Sequence, residues 1–284
     1  MKTGILVILY GKGLHDSKTI SKLLETTIDE CCYLHIVNNG PEEISISNNN
    51  VLELLKIKFK NVLVEQFLEN RPLSFLYNSF LNNDYDRFVF FDDDSDIPLE
   101  FFRNSLNVFK SEVGIDIQLP IIKSIVSNKY FYPVVNDVVI KKSGFTESND
   151  EVFSIGSGII IYSSLINKFR EFNLNLFDNR FALYGVDFSL FRRIHLLKKK
   201  GINVGIYITQ ELKHSLSRES GSISKWREKE RLIDYTLTSL FYSKSYILKI
   251  SKISKIFFML LLRKDTELVK EILKVIVNKK HPRC

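Results

Sequence analysis

Along this chain, short unbroken apolar runs alternate with longer stretches whose apolar residues recur at helical spacing. Residues 5–10, Ile-Leu-Val-Ile-Leu-Tyr, form an unbroken run of strand length, as a strand covered on both faces requires. A polar loop over 11–16 separates it from a helical pattern over 17–27. Runs at 33–39 and 61–67 predict a second and a third strand, the second closed by Gly40-Pro41, a strong turn signal. The asparagines at 48–50 read as a short polar turn. Residues 74–82 read as a helix and 87–91 as a fourth strand, with Pro98 placed in the first turn of the next helix. Strands alternating with helices predict an α/β fold built on a mostly parallel, Rossmann-like sheet flanked by helices.

Residues 115–160 are richer in strand patterns and predict mixed or antiparallel pairing, followed by a helix over 187–200 and a strand over 202–209. From about residue 221 the texture changes to a helix and then to basic amphipathic segments. The boundaries that follow are a catalytic domain over 1–220 and a C-terminal basic helical extension over 221–284. There is no internal repeat. A chain of 284 residues, 45% hydrophobic and 26% charged, can bury one sizeable core.

Charge changes the picture of the C-terminal part. The chain carries a net +7, yet residues 241–284 hold 11 Lys and Arg against 3 Asp and Glu, which leaves residues 1–240 at −1. A nucleic-acid enzyme concentrates its basic patch around its binding domain, so this distribution argues against a nucleic-acid partner. Three cysteines, two of them adjacent, cannot form a disulfide framework and point to a reducing, cytoplasmic compartment. The N-terminal apolar run lacks a small-residue cleavage site and reads as a strand, not a signal peptide. No stretch reaches the roughly 18–20 apolar residues that span a bilayer. The segment 243–264 mixes Lys244, Lys249, Lys252 and Lys255 with Ile, Leu and Phe. It reads in two ways: an amphipathic helix lying on the anionic inner face of a cell membrane, or helices packed on the catalytic domain with solvated lysines.

The chemistry-bearing string is Phe-Val-Phe-Phe-Asp-Asp-Asp-Ser-Asp-Ile-Pro over 88–98. Asp92, Asp93 and Asp94 directly follow a buried strand, where ligands bind in open α/β sheets. Adjacent carboxylates repel unless a cation or hydrogen-bond donors offset them. A hard divalent cation bridging to a diphosphate suits such a site. Two other readings use the same string. A solvated acidic turn could cap the helix near Pro98. A haloacid-dehalogenase-type phosphohydrolase would use Asp92 as nucleophile and Asp94 as acid, although that motif ordinarily lies on a first strand and here three strands precede it. An EF-hand loop fails, because Ile97 and Arg103 stand where Gly and Glu are needed.

The wider surroundings resemble family 2 glycosyltransferases of the GT-A fold, particularly their bacterial rhamnosyltransferase-like branch. The strand, Asp-x-Asp-Ser, Pro and aromatic order of 88–102 resembles that family's metal motif. His-Ile-Val-Asn-Asn-Gly-Pro over 35–41 resembles its nucleobase-binding strand end, with Asn38 where Asp is usual. Residues 69–81 resemble the segment that shapes the donor site through Asn78. Ser157-Gly158 resembles the acceptor-side pair, and 176–194 the block carrying the general base. Residues 211–221 resemble a strand end whose His approaches the metal.

The resemblance covers about 1–220, with a donor half over about 1–115 and an acceptor half over about 116–220. It implies an inverting, metal-dependent glycosyl (hexosyl-type) transferase. The donor would be a UDP-, dTDP- or GDP-sugar, and the acceptor a glycan or lipid-linked saccharide in surface-polysaccharide synthesis, such as O-antigen or capsule. On it, Asp94 and His214 hold Mn2+ or Mg2+, and Tyr10, Asn38, Asn39, Asn78, Asp92 and Asp93 contact the donor. Asp187 is the base, with an N-cap of the following helix as its alternative reading. Arg193 and Arg218 are phosphate contacts. A non-catalytic nucleotide-sugar-binding domain is the remaining alternative. The loop Gly11-Lys12-Gly13 lacks a P-loop pattern and is expected to lie over the nucleotide.

Overall fold

The computed structural model of the chain describes residues 1–28, 31–47, 49–216, 219 and 224–284. The first half runs β1 (Thr3–Leu9), α1 (Lys18–Glu25), β2 (Cys32–Asn38), α2 (Asn50–Lys58), β3 (Asn61–Gln66), α3 (Leu73–Phe80), β4 (Arg87–Asp92), β5 (Ser95–Asp96) and α4 (Phe101–Ser111). Then come β6 (Ile117–Ser124), β7 (Tyr130–Tyr132), β8 (Val134–Val135), β9 (Val138–Val139), β10 (Gly144–Phe145), β11 (Val152–Phe153) and β12 (Ile160–Tyr162). The chain closes with α5 (Ser163–Arg170), α6 (Val186–Lys199), β13 (Ile206–His214), α7 (Lys225–Tyr242), α8 (Tyr246–Arg263) and α9 (Thr266–Asn278).

The main sheet has the order β10-β13-β6-β12-β4-β1-β2-β3. Strands β3, β2, β1 and β4 are mutually parallel, and β6 and β13 are parallel to each other. Between β4 and β6, β12 runs antiparallel to both. Strand period 2 explains why the apolar runs are unbroken. From β1, Ile5, Val7 and Leu9 enter a core shared with α1, α2 and α4, while Leu6 and Ile8 enter the opposite core. The second core is capped by α3, α5 and α6, with Leu165, Ile166, Phe169, Leu190 and Ile194 contributing. A sheet covered on both faces needs apolar side chains on both.

The C-terminal helices belong to that second core. Ile233 and Leu237 of α7, Ile256 and Leu260 of α8, and Ile272 and Val275 of α9 join the same apolar cluster as Phe88 and Phe90. Among the described residues no helix is long and apolar enough to cross a membrane.

Several elements differ from expectation for local reasons. Of the polar turn expected at 48–50, residue 48 lies outside the described residues, and Asn49 and Asn50 start helix α2, because the Asn49 side chain accepts the Leu52 N–H and caps it. Pro98 precedes α4 instead of standing in its first turn; its carbonyl accepts the Phe101 N–H and starts the turn leading in. The apolar-looking stretch 152–162 forms strand only at its two ends. Its middle is a loop at the mouth of the sheet. The last long strand begins later than expected and reaches His214, with a register shift between Ile208 and Glu211.

Candidate active site

The three aspartates lie at the centre of the sheet's C-terminal edge. β4 pairs with β1 on one side and β12 on the other, so Asp92 emerges between two strands. The turn that follows is tied to the start of α1. Thr19 Oγ1 donates to the Asp92 carbonyl at 2.5 Å and accepts the Ser95 N–H at 2.9 Å. Ser17 Oγ and the Thr19 N–H both donate to the Asp93 carbonyl. The acidic turn is therefore clamped by α1 and does not cap α4. With the backbone bonded from behind, the carboxylates are free to point out of the turn.

Strand pairing delivers the histidine. After the turn, β5 runs antiparallel to β13 and sets Ser95 opposite His214. His214 Nε2 then lies 3.6 Å from Asp92 Oδ2, and Nδ1 lies 3.2 Å from Asp94 Oδ1. One ligand atom from each of Asp92, Asp94 and His214 falls within 4.8 Å of the others. Nδ1 also lies 3.3 Å from Ser95 Oγ, which in turn bonds Ser157 Oγ. Two carboxylate oxygens and an imidazole nitrogen form a donor set that borderline divalent cations accept.

A test of fit comes from Asp94. Its Oδ1 is buried without a hydrogen-bond partner, the nearby imidazole nitrogen being poorly aligned with it. A buried, unpartnered carboxylate oxygen is costly, and a cation bound there would remove the cost. Electrostatics agree. Burial, then the neighbouring charges of Asp94 and Asp93, push the Asp92 carboxyl up to about 7, against the lowering effect of Lys12. Burial raises Asp94 above its ordinary value, with His214 opposing. Burial lowers His214, favouring the neutral imidazole that coordinates metals. These residues fit a divalent cation.

Lys12 supplies a positive charge from the opposite loop, its Nζ 2.5 Å from Asp93 Oδ1. The loop is shaped by Gly11 at φ +64, whose N–H donates to the Gly40 carbonyl. The expected loop over the nucleotide is thus anchored at the ends of β1 and β2, with Lys12 reaching the acidic turn. Tyr10, next to it, is 47% exposed at the end of β1.

The base candidate stands on a different element. Asp187 is in the first turn of α6, while Gly185 holds the N-cap position, so the N-cap reading of Asp187 does not hold. Its Oδ2 accepts the Gly156 N–H at 2.8 Å, and a side chain at Gly156 would meet its Oδ1 at 2.7 Å. Glycine is needed for this close approach. Burial, and next the Asp92 charge, raise the Asp187 carboxyl to about 7. Ser157 Oγ accepts the Asp92 N–H at 3.4 Å. Gly158 has φ +80, a region few side chains enter, and a Cβ there would collide with Leu212 and Pro120. The 154–159 loop therefore bridges Asp92 and Asp187.

Other expected site residues have their polar groups committed elsewhere. Asn38 donates to the Glu42 carbonyl and to Gln66, and its Oδ1 accepts the Gly40 N–H. Asn39 bonds Asn70 and both backbone groups of Arg71. Asn78 brackets the 177–179 loop, donating to the Phe177 carbonyl and to Asn179 and accepting the Phe177 N–H. Arg193 pairs with buried Asp178 at 3.2 Å and donates to the carbonyls of Asn175 and Phe177. Arg218 lies outside the described residues.

The sequence reading missed the parts played by Ser17, Thr19, Ser95 and Gly156, which hold the acidic turn and Asp187. Their only signal was proximity to a helix start or to a motif already found.

Comparison with solved structures supplies a context for this geometry. The chain superposes on S. aureus TarS with a TM-score of 0.57 at 12% identity, covering 90% of this chain and 43% of that one. Residues 1–349 of TarS in complex with UDP-GlcNAc match with a TM-score of 0.53 at 12% identity, over 90% and 72% of the two chains. The same fragment with UDP matches at 0.54 and 13% identity, over 90% and 71%. This chain has a GT-A-like glycosyltransferase fold. It spans under half the length of the full TarS chain. The likeness is to the fold, and it does not single out a rhamnosyltransferase-like branch. No protein-family profile matches the sequence, and no characterised protein matches it by sequence.

Proposed function

We propose that this chain is a metal-dependent, inverting glycosyltransferase that takes a nucleoside-diphosphate sugar as donor. The single observation that carries this reading is the convergence of Asp92, Asp94 and His214 on one spot, with half-buried Asp187 held beside them by the Gly156 loop. The fold shared with a protein crystallised with UDP-GlcNAc and with UDP supports a uridine nucleotide as the first donor to try, ahead of dTDP- and GDP-sugars.

In this reading Asp94, His214 and Asp92 would hold Mn2+ or Mg2+, which when bound would supply positive charge for a diphosphate leaving group. Lys12 adds a second positive group on the same side, and Asp93 orients it. Asp187 takes the proton from the acceptor hydroxyl as that oxygen attacks the anomeric carbon. A carboxylate raised to about 7 is a stronger base than an ordinary one while still partly ionised near neutral pH. The Gly156 N–H fixes its direction. Ser157 and Gly158 shape the acceptor side, and the acceptor is a sugar hydroxyl of a glycan or lipid-linked saccharide of the surface-polysaccharide class.

The test is release of nucleoside diphosphate from a panel of UDP-, dTDP- and GDP-sugars with Mn2+ and a set of saccharide acceptors. Transfer from one donor, lost in Asp187→Asn while nucleotide binding persists, is the expected outcome. Phosphate release from simple phosphomonoesters, with a phospho-aspartate trapped at Asp92, would instead assign the chain to the phosphohydrolases. Metal-dependent nucleotide binding without transfer to any acceptor would leave a binding domain.

A further inference from the structure

The C-terminal helices use only half of their apolar surface in the core. Ile256 and Leu260 of α8 are buried against the catalytic sheet's helices. On the other side of the same helix, Ile247 is 79% exposed, Phe258 65%, Leu261 67% and Leu262 70%, with Ile250 half exposed. Positions 247, 250, 254, 258 and 261 succeed one another by three or four residues, so they form one stripe along roughly 20 Å of helix. Ser254 is its only polar member. The neighbouring α9 adds exposed Leu273 and Val277. An exposed apolar surface of this extent on a folded chain marks an interaction site.

Charge identifies the partner. At 100° per residue, exposed Lys255 falls on the flank of the stripe, whereas Lys249 and Lys252 are half-buried nearer the packed side; no ion pair among the described residues engages any of the three. Lys264, Lys270 and Lys274 are also exposed around it. The cationic excess of the whole chain resides in this region. A two-fold contact with a second copy would bring two patches of the same positive net charge together, which like-charge repulsion disfavours. No described helix can cross a bilayer.

We infer that the outer face of α8, extended by α9, seats this protein on an anionic lipid surface, with the apolar stripe entering the acyl boundary and the lysines at the headgroups. This does not depend on the transferase reading. The face lies on helices separate from the carboxylate cluster.

The full chain is sedimented with vesicles of phosphatidylcholine containing phosphatidylglycerol, and with vesicles of phosphatidylcholine alone. Binding to the anionic vesicles only is expected. It should weaken as salt is raised from about 0.1 M to about 1 M, because the screening length falls from about 10 Å to about 3 Å. Phe258→Ser with Leu262→Ser should lower binding by at least roughly tenfold. Lys255→Gln with Lys274→Gln should lower it by roughly tenfold. Both pairs are on the surface, so an unchanged Tm and unchanged nucleotide binding serve as fold controls. Failure to sediment with anionic vesicles at low salt overturns the inference, as does binding that the serine pair leaves intact. A wild-type oligomer that the serine pair converts to monomer would assign the face to a second copy instead.

Discussion

Two groups of carboxylates in this molecule, one buried and one half-buried, are treated in opposite ways. Asp178 is 1% exposed and is met from every side. Arg180 bonds both its oxygens, Arg193 lies at 3.2 Å and the Tyr242 hydroxyl donates at 2.6 Å. Burial alone would raise its carboxyl, but these partners outweigh it and hold Asp178 below its ordinary value. Asp92, Asp94 and Asp187 are crowded together instead, with all three carboxyls raised and one oxygen of Asp94 unpartnered. The first group is complete as folded. The second leaves a carboxylate oxygen for a ligand from outside the chain, and on the proposed function this contrast separates a structural cluster from a functional one.

The largest effect that would break this contrast is kinetic. Asp187→Asn should lower transfer by about 10²–10⁴-fold, the range for loss of a general base, with nucleotide affinity preserved. Near-full turnover of the variant would remove Asp187 from the chemistry.

Stability should show the reverse pattern. Asp178→Asn breaks a satisfied buried ion-pair cluster and should cost about 3–5 kcal/mol, read by denaturant unfolding. Asp94→Asn removes a crowded charge and should leave metal-free stability unchanged or slightly higher. If both substitutions destabilise equally, the two clusters are not different in kind.

The pH dependence carries the same signature. Asp178 has a lowered carboxyl, so its contribution is present above the unfolded value of about 4 and is lost as pH falls through its folded value. Asp92 and Asp187 have raised carboxyls. The metal-free folded chain holds their protons more tightly than the unfolded one does, so their effect lowers stability as pH rises from about 4 to about 7. A divalent cation competes with those protons. Mn2+ should therefore raise Tm more at about pH 8 than at about pH 5.5. An equal shift at both values would place the metal away from these residues. A smaller loss than that of Asp178→Asn is expected for Asn78→Ala, which should cost about 1–3 kcal/mol from unpaired loop groups while sparing nucleotide affinity. A selective loss of affinity would return Asn78 to the donor site.

Much of this was legible in the sequence. The unbroken apolar runs at 5–10 and 88–91 read as strands covered on both faces, and they are neighbours at the centre of the sheet. The acidic string could be located because three adjacent aspartates after such a strand have no cheap structural explanation. That His214 meets Asp94 was implied by the resemblance alone; the pairing that brings it there was not legible, since it depends on a two-residue strand, β5, set against a strand more than a hundred residues away. Asn78 and Arg193 show the converse. Their positions fit a motif, but a polar side chain's partner is fixed by the tertiary surroundings, and here the partners are a loop and Asp178. For the basic C-terminal segment, both halves of the pattern have a place: one face of α8 joins the core and the other remains exposed.

The most direct test of the central claim is calorimetric titration of the intact chain with UDP, dTDP and GDP, with and without Mn2+. The account predicts that at least one binds, and that removing Mn2+ or introducing Asp94→Ala or His214→Ala weakens it by about tenfold or more, some 1.4 kcal/mol. Binding that ignores both the metal and these substitutions, or no binding by any of the three, would contradict it.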